Sequence, residues 1–219
     1  MDCGGVPTRL FEGRSDELLL FAHRGTLSKD DDWSVRWCRT LAQHVGLTVV
    51  AIDSSQHGAR MPATGDREAD RRAMEEAIVA GGDQAARDWV SVIPSLGLGP
   101  AVAYVGFSMG AMHGTIAAAA IPTLRAAVFG MAGVPRFALE SVRESGSDTP
   151  HMAAARQLHE CEVLMVNTIS DDLFPPDGAL ALFAAFPAGR KRLMLWEGDH
   201  ETEPQDMVDE IVLFLKRHT

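Results

Sequence analysis

The sequence is short of cysteine, of clustered basic charge and of long apolar runs, and each shortage narrows what the chain can be. Three cysteines occur among 219 residues: Cys3, Cys38 and Cys161. The count is odd and no CxxC is present, so neither a disulfide framework nor a zinc site is expected. Cys38 and Cys161 sit in apolar stretches and read as packed thiols. No basic cluster exceeds "RKR" at 190–192, and the formal net charge is −10. Nucleic-acid backbones and anionic membranes are therefore poor partners, and the acidity reads as a solubility feature. No window reaches the roughly 18 apolar residues that a bilayer span needs. The opening "MDCGGVPTRLFEG" lacks a basic start followed by an apolar run, so no signal peptide is read there. A reducing, cytoplasmic location is the expectation. No G-x-G-x-x-G follows an early strand and no GKS or GKT occurs, so dinucleotide and P-loop chemistry lose their main supports.

The composition describes a compact soluble chain. Apolar residues make up 46% and charged residues 23%. The length suits one domain, 1–219, with a sizeable core. Residues 1–15 are polar and glycine-rich at first, and fit either a tail or a short edge hairpin. "ELLLFAH" at 17–23 is an apolar run of strand length. Over 33–46, Trp33, Trp37, Leu41 and Val45 fall on one helical face, and Gly46 stops the helix. "LTVVAID" at 47–53 reads as a second strand, and 54–65 as a loop. Helical stretches fill 66–94, with a break at the "GG" of 81–82.

Further strands are expected at 101–106, 124–130, 162–168 and 192–198. Helices are expected at 111–121, 177–186 and 206–218, and one or two more within 131–160. Strand and helix thus alternate, and the strands are continuously apolar. Burial on both faces has that effect. The expected fold is α/β, a three-layer α/β/α sandwich around a mainly parallel sheet of about six strands.

"AVAYVGFSMGAMHGT" at 101–115 carries the strongest local signal. Its "GFSMG" is G-x-S-x-G, set between a buried strand and a helix. A sharp strand-to-helix turn lifts the Ser108 hydroxyl above the sheet, and Gly106 and Gly110 remove side chains where strand and helix cross closely. The helix N-terminus beside Ser108 favours developing negative charge. A serine nucleophile needs a base, and the base needs an orienting carboxylate. Both belong after later strands, whose ends share the edge with Ser108. Among eight histidines, His200 in "WEGDHE" follows the last strand directly and is the base by position. His151 and His159 stand next in line. "NTISDDLFPP" offers two adjacent carboxylates, Asp171 and Asp172: one to orient His200, the other to cap a turn.

These segments resemble the α/β-hydrolase fold, in particular its small carboxylesterase and dienelactone-hydrolase-like members, from about residue 16 to 219. "GFSMG" matches the nucleophile elbow, "EGDH" the segment with the catalytic histidine, and "VVAIDSSQHGAR" the family's strand and "HG" loop. "SDDLFP" resembles the family's acid motif. That resemblance assigns the acid to Asp171, because Phe174 and Pro175 complete the pattern. It also implies two oxyanion amides, one from Met109 and the other from Arg24 or Gly25. The family has His-Gly after its first well-formed strand, whereas this chain reads "FAHRGTL", with Arg24 in the glycine's place. An arginine there could also meet an acidic substrate group. The family sheet has eight strands, and residues 1–15 leave little room for the first two, so a trimmed core is expected. A short cap or insert at 131–160 would leave the pocket shallow or shaped by a helix.

The implied chemistry is acyl transfer on a small-molecule ester or thioester through an acyl-enzyme, with no cofactor and no metal required. A C–C bond hydrolase or lyase on the same triad is the rival enzyme, and a non-catalytic binding protein the rival from another class. The oligomeric state is left open by the sequence.

Overall fold

The computed structural model describes residues 1–62 and 64–219. The loop expected over 54–65 includes position 63, which lies outside the described residues. Six apolar runs form parallel strands: β3 (Ser15–Ala22), β4 (Leu47–Ile52), β5 (Ala101–Phe107), β6 (Ala126–Gly130), β7 (Glu162–Thr168) and β8 (Lys191–Trp196). The first residues add two short strands at one edge, β1 (Asp2–Cys3) and β2 (Val6–Phe11), so the sheet has eight strands where about six were expected. β2 runs antiparallel to β4 and buries Val6, Thr8 and Phe11. A six-residue strand needs little chain once an existing edge supplies its hydrogen-bond partners.

The strand order is β1-β2-β4-β3-β5-β6-β7-β8. The chain moves from β3 outward to β4, then returns to place β5 on the other side of β3. The connections reverse between β3 and β5, which makes their carboxyl ends the place where a crevice opens.

Alternate residues of one strand serve opposite layers. Leu18 and Leu20 join a core with Trp89 of α3 (Gly82–Ser95) and Ala111 of α4 (Met109–Ala119). Leu19 and Phe21 join another with Trp37 of α1 (Asp32–His44) and Ile211 of α8 (Gln205–His218). Each fully buried leucine or phenylalanine contributes about 1.5–3 kcal/mol relative to exposure. Such two-sided burial explains the continuous apolar runs. β8 departs from the expectation: it is half exposed along its length, because it forms the edge of the sheet.

α2 (Arg67–Ala80) and α3 are separated at Gly81, where a Cβ would lie 2.8 Å from the His113 ring and collide with the Ala77 carbonyl. The segment 131–160 holds α5 (Arg136–Ser145) and α6 (Pro150–Ala155), and α7 (Pro176–Ala185) follows β7. Among the described residues, no helix is long and apolar enough to cross a membrane.

Candidate active site

Ser108 stands between β5 and α4 with φ +53° and ψ −118°, a backbone state that side-chain-bearing residues rarely adopt. The turn persists because its surroundings determine it. The Ser108 N–H donates to the Gly130 carbonyl at 2.8 Å. A Cβ on Gly106 would collide with the Gly110 carbonyl, and one on Gly110 with the Ala22 carbonyl. The two glycines let α4 press onto the ends of β5 and β3.

His200 reaches Ser108 from the loop after β8. Its Nε2 lies 3.0 Å from Ser108 Oγ, and its Nδ1 lies 2.7 Å from Asp171 Oδ2. A carboxylate at Nδ1 makes that nitrogen the donor, which leaves Nε2 to accept a hydrogen bond from the Ser108 hydroxyl. Asp171 is buried, and its other oxygen accepts the backbone N–H groups of Leu173 (2.8 Å) and Phe174 (2.9 Å). The carboxylate is thereby aimed at His200, and the Phe174 ring lies 5.8 Å from the imidazole. Asp172 faces outward, its side chain 97% exposed, and pairs with Arg136. Only one of the two adjacent carboxylates meets the histidine.

The acid and histidine loops are stitched together. The Thr168 hydroxyl donates to the Asp199 carbonyl at 2.8 Å, and the Ser170 N–H to the Gly198 carbonyl at 2.9 Å. Asp199 Oδ1 accepts from the Glu201 N–H (3.1 Å) and the Thr202 hydroxyl (2.8 Å), folding a tight turn around His200.

Met109 opens α4, and the Arg24–Gly25 segment leaves β3 beside it. A Cβ on Gly25 would lie 3.8 Å from Met109 Cβ and 3.1 Å from Ile78 Cδ1. His23 anchors this segment: its Nδ1–H donates to the Arg24 carbonyl (2.7 Å), and its Nε2 accepts the Ser54 N–H (3.1 Å). Burial lowers the His23 pKa to about 4, which keeps the ring neutral for both bonds. Below it, the buried Asp53 carboxylate holds Lys29 through its backbone N–H and its ammonium, both at 2.9 Å, and accepts the Ala59 N–H.

The Arg24 side chain is already engaged, contrary to the idea that it awaits an acidic substrate. Its guanidinium lies 2.6 Å from Glu201 and 3.9 Å from Glu203, and over the Trp33 ring at 4.4 Å. Glu203 in turn accepts from Trp33 Nε1 (2.7 Å) and Trp37 Nε1 (3.1 Å). Sequence reasoning missed this group. Trp33 and Trp37 read as a core stripe, and no local signal joins them to Glu203, 170 and 166 positions away.

Among the described residues, His200 is the histidine that hydrogen-bonds to Ser108. His113 Nε2 bonds the Ile78 carbonyl at 3.1 Å, and burial lowers its pKa to about 4. His151 is buried at the start of α6. Among the described residues, no group of three or more His, Cys, Asp or Glu side chains is placed to hold a metal ion.

No family model and no curated protein sequence matches the chain. Solved structures do. A cold-adapted esterase from an Arctic intertidal metagenomic library superposes with a TM-score of 0.78 at 26% identity, over 100% of this chain and 91% of that one. The chain has the α/β-hydrolase fold. Two other structures share that α/β-hydrolase architecture. They are a monoacylglycerol lipase from Paleococcus ferrophilus (TM-score 0.68, 17% identity, 98% and 99% covered) and a meta-cleavage product hydrolase from Pseudomonas fluorescens IP01 (0.69, 14%, 99% and 97%). At such identities the likeness to these α/β-hydrolases is one of fold.

Proposed function

We propose that this chain is a serine hydrolase that cleaves a carboxylic ester or thioester of a small molecule through an acyl-enzyme. One observation carries the reading: the unbroken path from Ser108 Oγ through the two His200 nitrogens to the buried Asp171 carboxylate. His200 takes the Ser108 proton as Oγ attacks the carbonyl carbon, and Asp171 stabilises the imidazolium that forms. The carbonyl oxygen gathers negative charge, which the Met109 amide and an amide from Arg24 or Gly25 receive. His200 then gives its proton to the leaving oxygen or sulfur. Water, deprotonated by the same histidine, releases the acid and restores Ser108.

The likeness to an esterase at 26% identity supports ester chemistry. A C–C bond hydrolase would use the same three residues, and the fold does not separate the two. A fluorophosphonate probe tests the nucleophile: it is expected to label the parent on Ser108 and to leave Ser108→Ala unlabelled. A panel of p-nitrophenyl esters then tests the bond class. Failure of every ester, with Ser108 still labelled, would move the reading to C–C cleavage.

A further inference from the structure

Two apolar chambers extend away from Ser108 in one direction. The first, about 420 Å³, is bounded by Ser108 and Met109, by Ile78 at the end of α2, and by Leu173 and Phe174 of the acid loop. The second, about 410 Å³, lies farther along α4, between α3 and the start of α6, and reaches Ile116 and Ala138. Val79, Met112, Pro135 and Phe137 line both, so the chambers form one groove with a shared waist. Val79 and Phe137 are exposed on its rim, as is Leu173, whereas Met112 is buried in its floor.

We propose that this groove holds the unbranched, uncharged acyl chain of a medium-chain ester, and that the alcohol part stays outside it. The proposal rests on the serine-hydrolase reading for its chemistry, and three observations carry it.

The first is polarity. Apart from Ser108, Arg136 and Asp172 at the first chamber and Asp83, Thr149 and His151 at the second, the lining side chains are aliphatic, aromatic or thioether groups. The charged residues at the first chamber, Arg136 and Asp172, are exposed and pair with each other at 3.3 Å. The charged side chain in the second chamber is the Asp83 carboxylate, which repels an anionic tail. An acyl chain long enough to carry a terminal carboxylate into the second chamber is therefore disfavoured, and a plain alkyl chain is favoured there.

The second is direction. The first chamber begins at the attacking oxygen and at Met109. Among the described residues, none from the loop that carries His200 lines either chamber. The leaving group must stay beside His200 to receive its proton. The groove runs the other way, so it takes the acyl side.

The third is length. A short acyl group occupies the first chamber alone, and a longer one passes the waist of Met112 and Phe137 into the second. Each methylene moved from water into such walls strengthens binding about threefold to fourfold.

Two length series test the assignment. With p-nitrophenyl esters from acetate to decanoate, kcat/KM is expected to rise about threefold to fourfold per added methylene. With alkyl acetates from methyl to octyl, it is expected to stay within about threefold overall, less than one methylene step of the acyl series. An acyl series flat beyond butyrate, or an alcohol series at least as steep, overturns the proposal. Ala138→Phe fills the second chamber without touching the first. It is expected to lower decanoate turnover at least tenfold and to leave butyrate within about twofold, against a per-methylene step of three- to fourfold. Phe137→Ala, at a residue 76% exposed, strips the waist that a long chain must pass, with little risk to folding, and should also flatten the long end of the series. Equal losses for butyrate and decanoate in both variants count against the groove.

Binding separates this proposal from the hydrolase reading. Calorimetric titration of Ser108→Ala with butanamide and decanamide needs no chemistry. Tighter binding of decanamide, lost in Ser108→Ala combined with Ala138→Phe, upholds the groove even if no ester is cleaved. Ester cleavage without any preference of the protein for decanamide upholds the hydrolase and sinks the groove.

Discussion

Arg24 Nη1 lies 2.6 Å from Glu201 Oε2, so the residue next to His200 is tied to the loop that faces Ser108 from β3. Glu201 is 70% exposed, and a pair of that kind is worth about 0–1 kcal/mol by itself. The inner half of the group is better protected: Arg24 and Glu203 side chains are 14% and 10% exposed, and Trp33 touches both. The arrangement joins α1, the β3 loop and the histidine loop in one contact. Arg24→Met is expected to lower kcat by about ten- to a hundredfold, because small misplacements of reacting groups have effects of that size. Glu201→Gln alone is expected to change it less than threefold, in keeping with an exposed pair. Steady-state kinetics on one ester checks both. Arg24→Met with parent kcat would reduce the contact to a surface feature.

The two adjacent carboxylates should behave very differently. Asp171→Asn removes the acceptor at His200 Nδ1 and favours the wrong tautomer, so kcat is expected to fall about 10⁴-fold with KM little changed. Asp172→Asn, at an exposed side chain paired only with Arg136 among the described residues, is expected to stay within about twofold of the parent, as surface pairs contribute little. Measuring the two variants side by side decides the acid. A crippled Asp172→Asn with a normal Asp171→Asn would overthrow the assignment.

Ser108 combines a strained backbone with a proposed chemical role, and two variants separate them. Ser108→Ala is expected to lose about four to six orders of magnitude in ester hydrolysis and to keep the strain. Ser108→Gly loses the same activity but relieves φ +53°, so it is expected to be about 1 kcal/mol more stable than Ser108→Ala. For a chain of this size that is a rise in Tm of about 2–4 °C, read by calorimetry. Equal melting temperatures would mean that the elbow stores little energy.

Acid should unfold this protein through histidines that take no part in the proposed chemistry. Burial lowers His23 and His113 from 6.5 to about 4 in the folded chain. Between those values the unfolded chain binds protons that the folded chain refuses, so unfolding becomes easier as pH falls. Their contribution is complete above about pH 6.5 and is lost as pH drops through about 4. Urea midpoints at pH 7 and pH 5 are expected to differ in that direction. His113→Gln retains a donor for the Ile78 carbonyl and cannot titrate, so its midpoint should depend less on pH. An identical slope in the variant would exclude His113 as a source.

Much of the fold could be read along the chain because two-sided burial writes itself into local composition. Each of β3 to β7 is an apolar run, and the helices between them carry their own stripe or stop signal, such as Gly46 and Gly81. β1 and β2 were harder, because a strand as short as Asp2–Cys3 exists only through the neighbour it pairs with. The exposure of β8 was hidden for a related reason: composition reports apolar content, whereas position at the sheet edge depends on the order in which strands assemble.

The site divides along the same line. Local spacing was enough to single out Ser108, since a strand, G-x-S-x-G and a helix are neighbours in sequence, and the same holds for His200 just after the last strand. It could not by itself choose between Asp171 and Asp172. Adjacent residues in a loop point in different directions, and only the folded turn, with two amides on one Asp171 oxygen, sets which one faces the imidazole. Nor could it foresee that Arg24 would be occupied by Glu201, Glu203 and Trp33, or that α2, α4 and α5 would wall an apolar groove. These features are made by side chains far apart in the chain, and the packing of the layers alone brings them within van der Waals and hydrogen-bonding range.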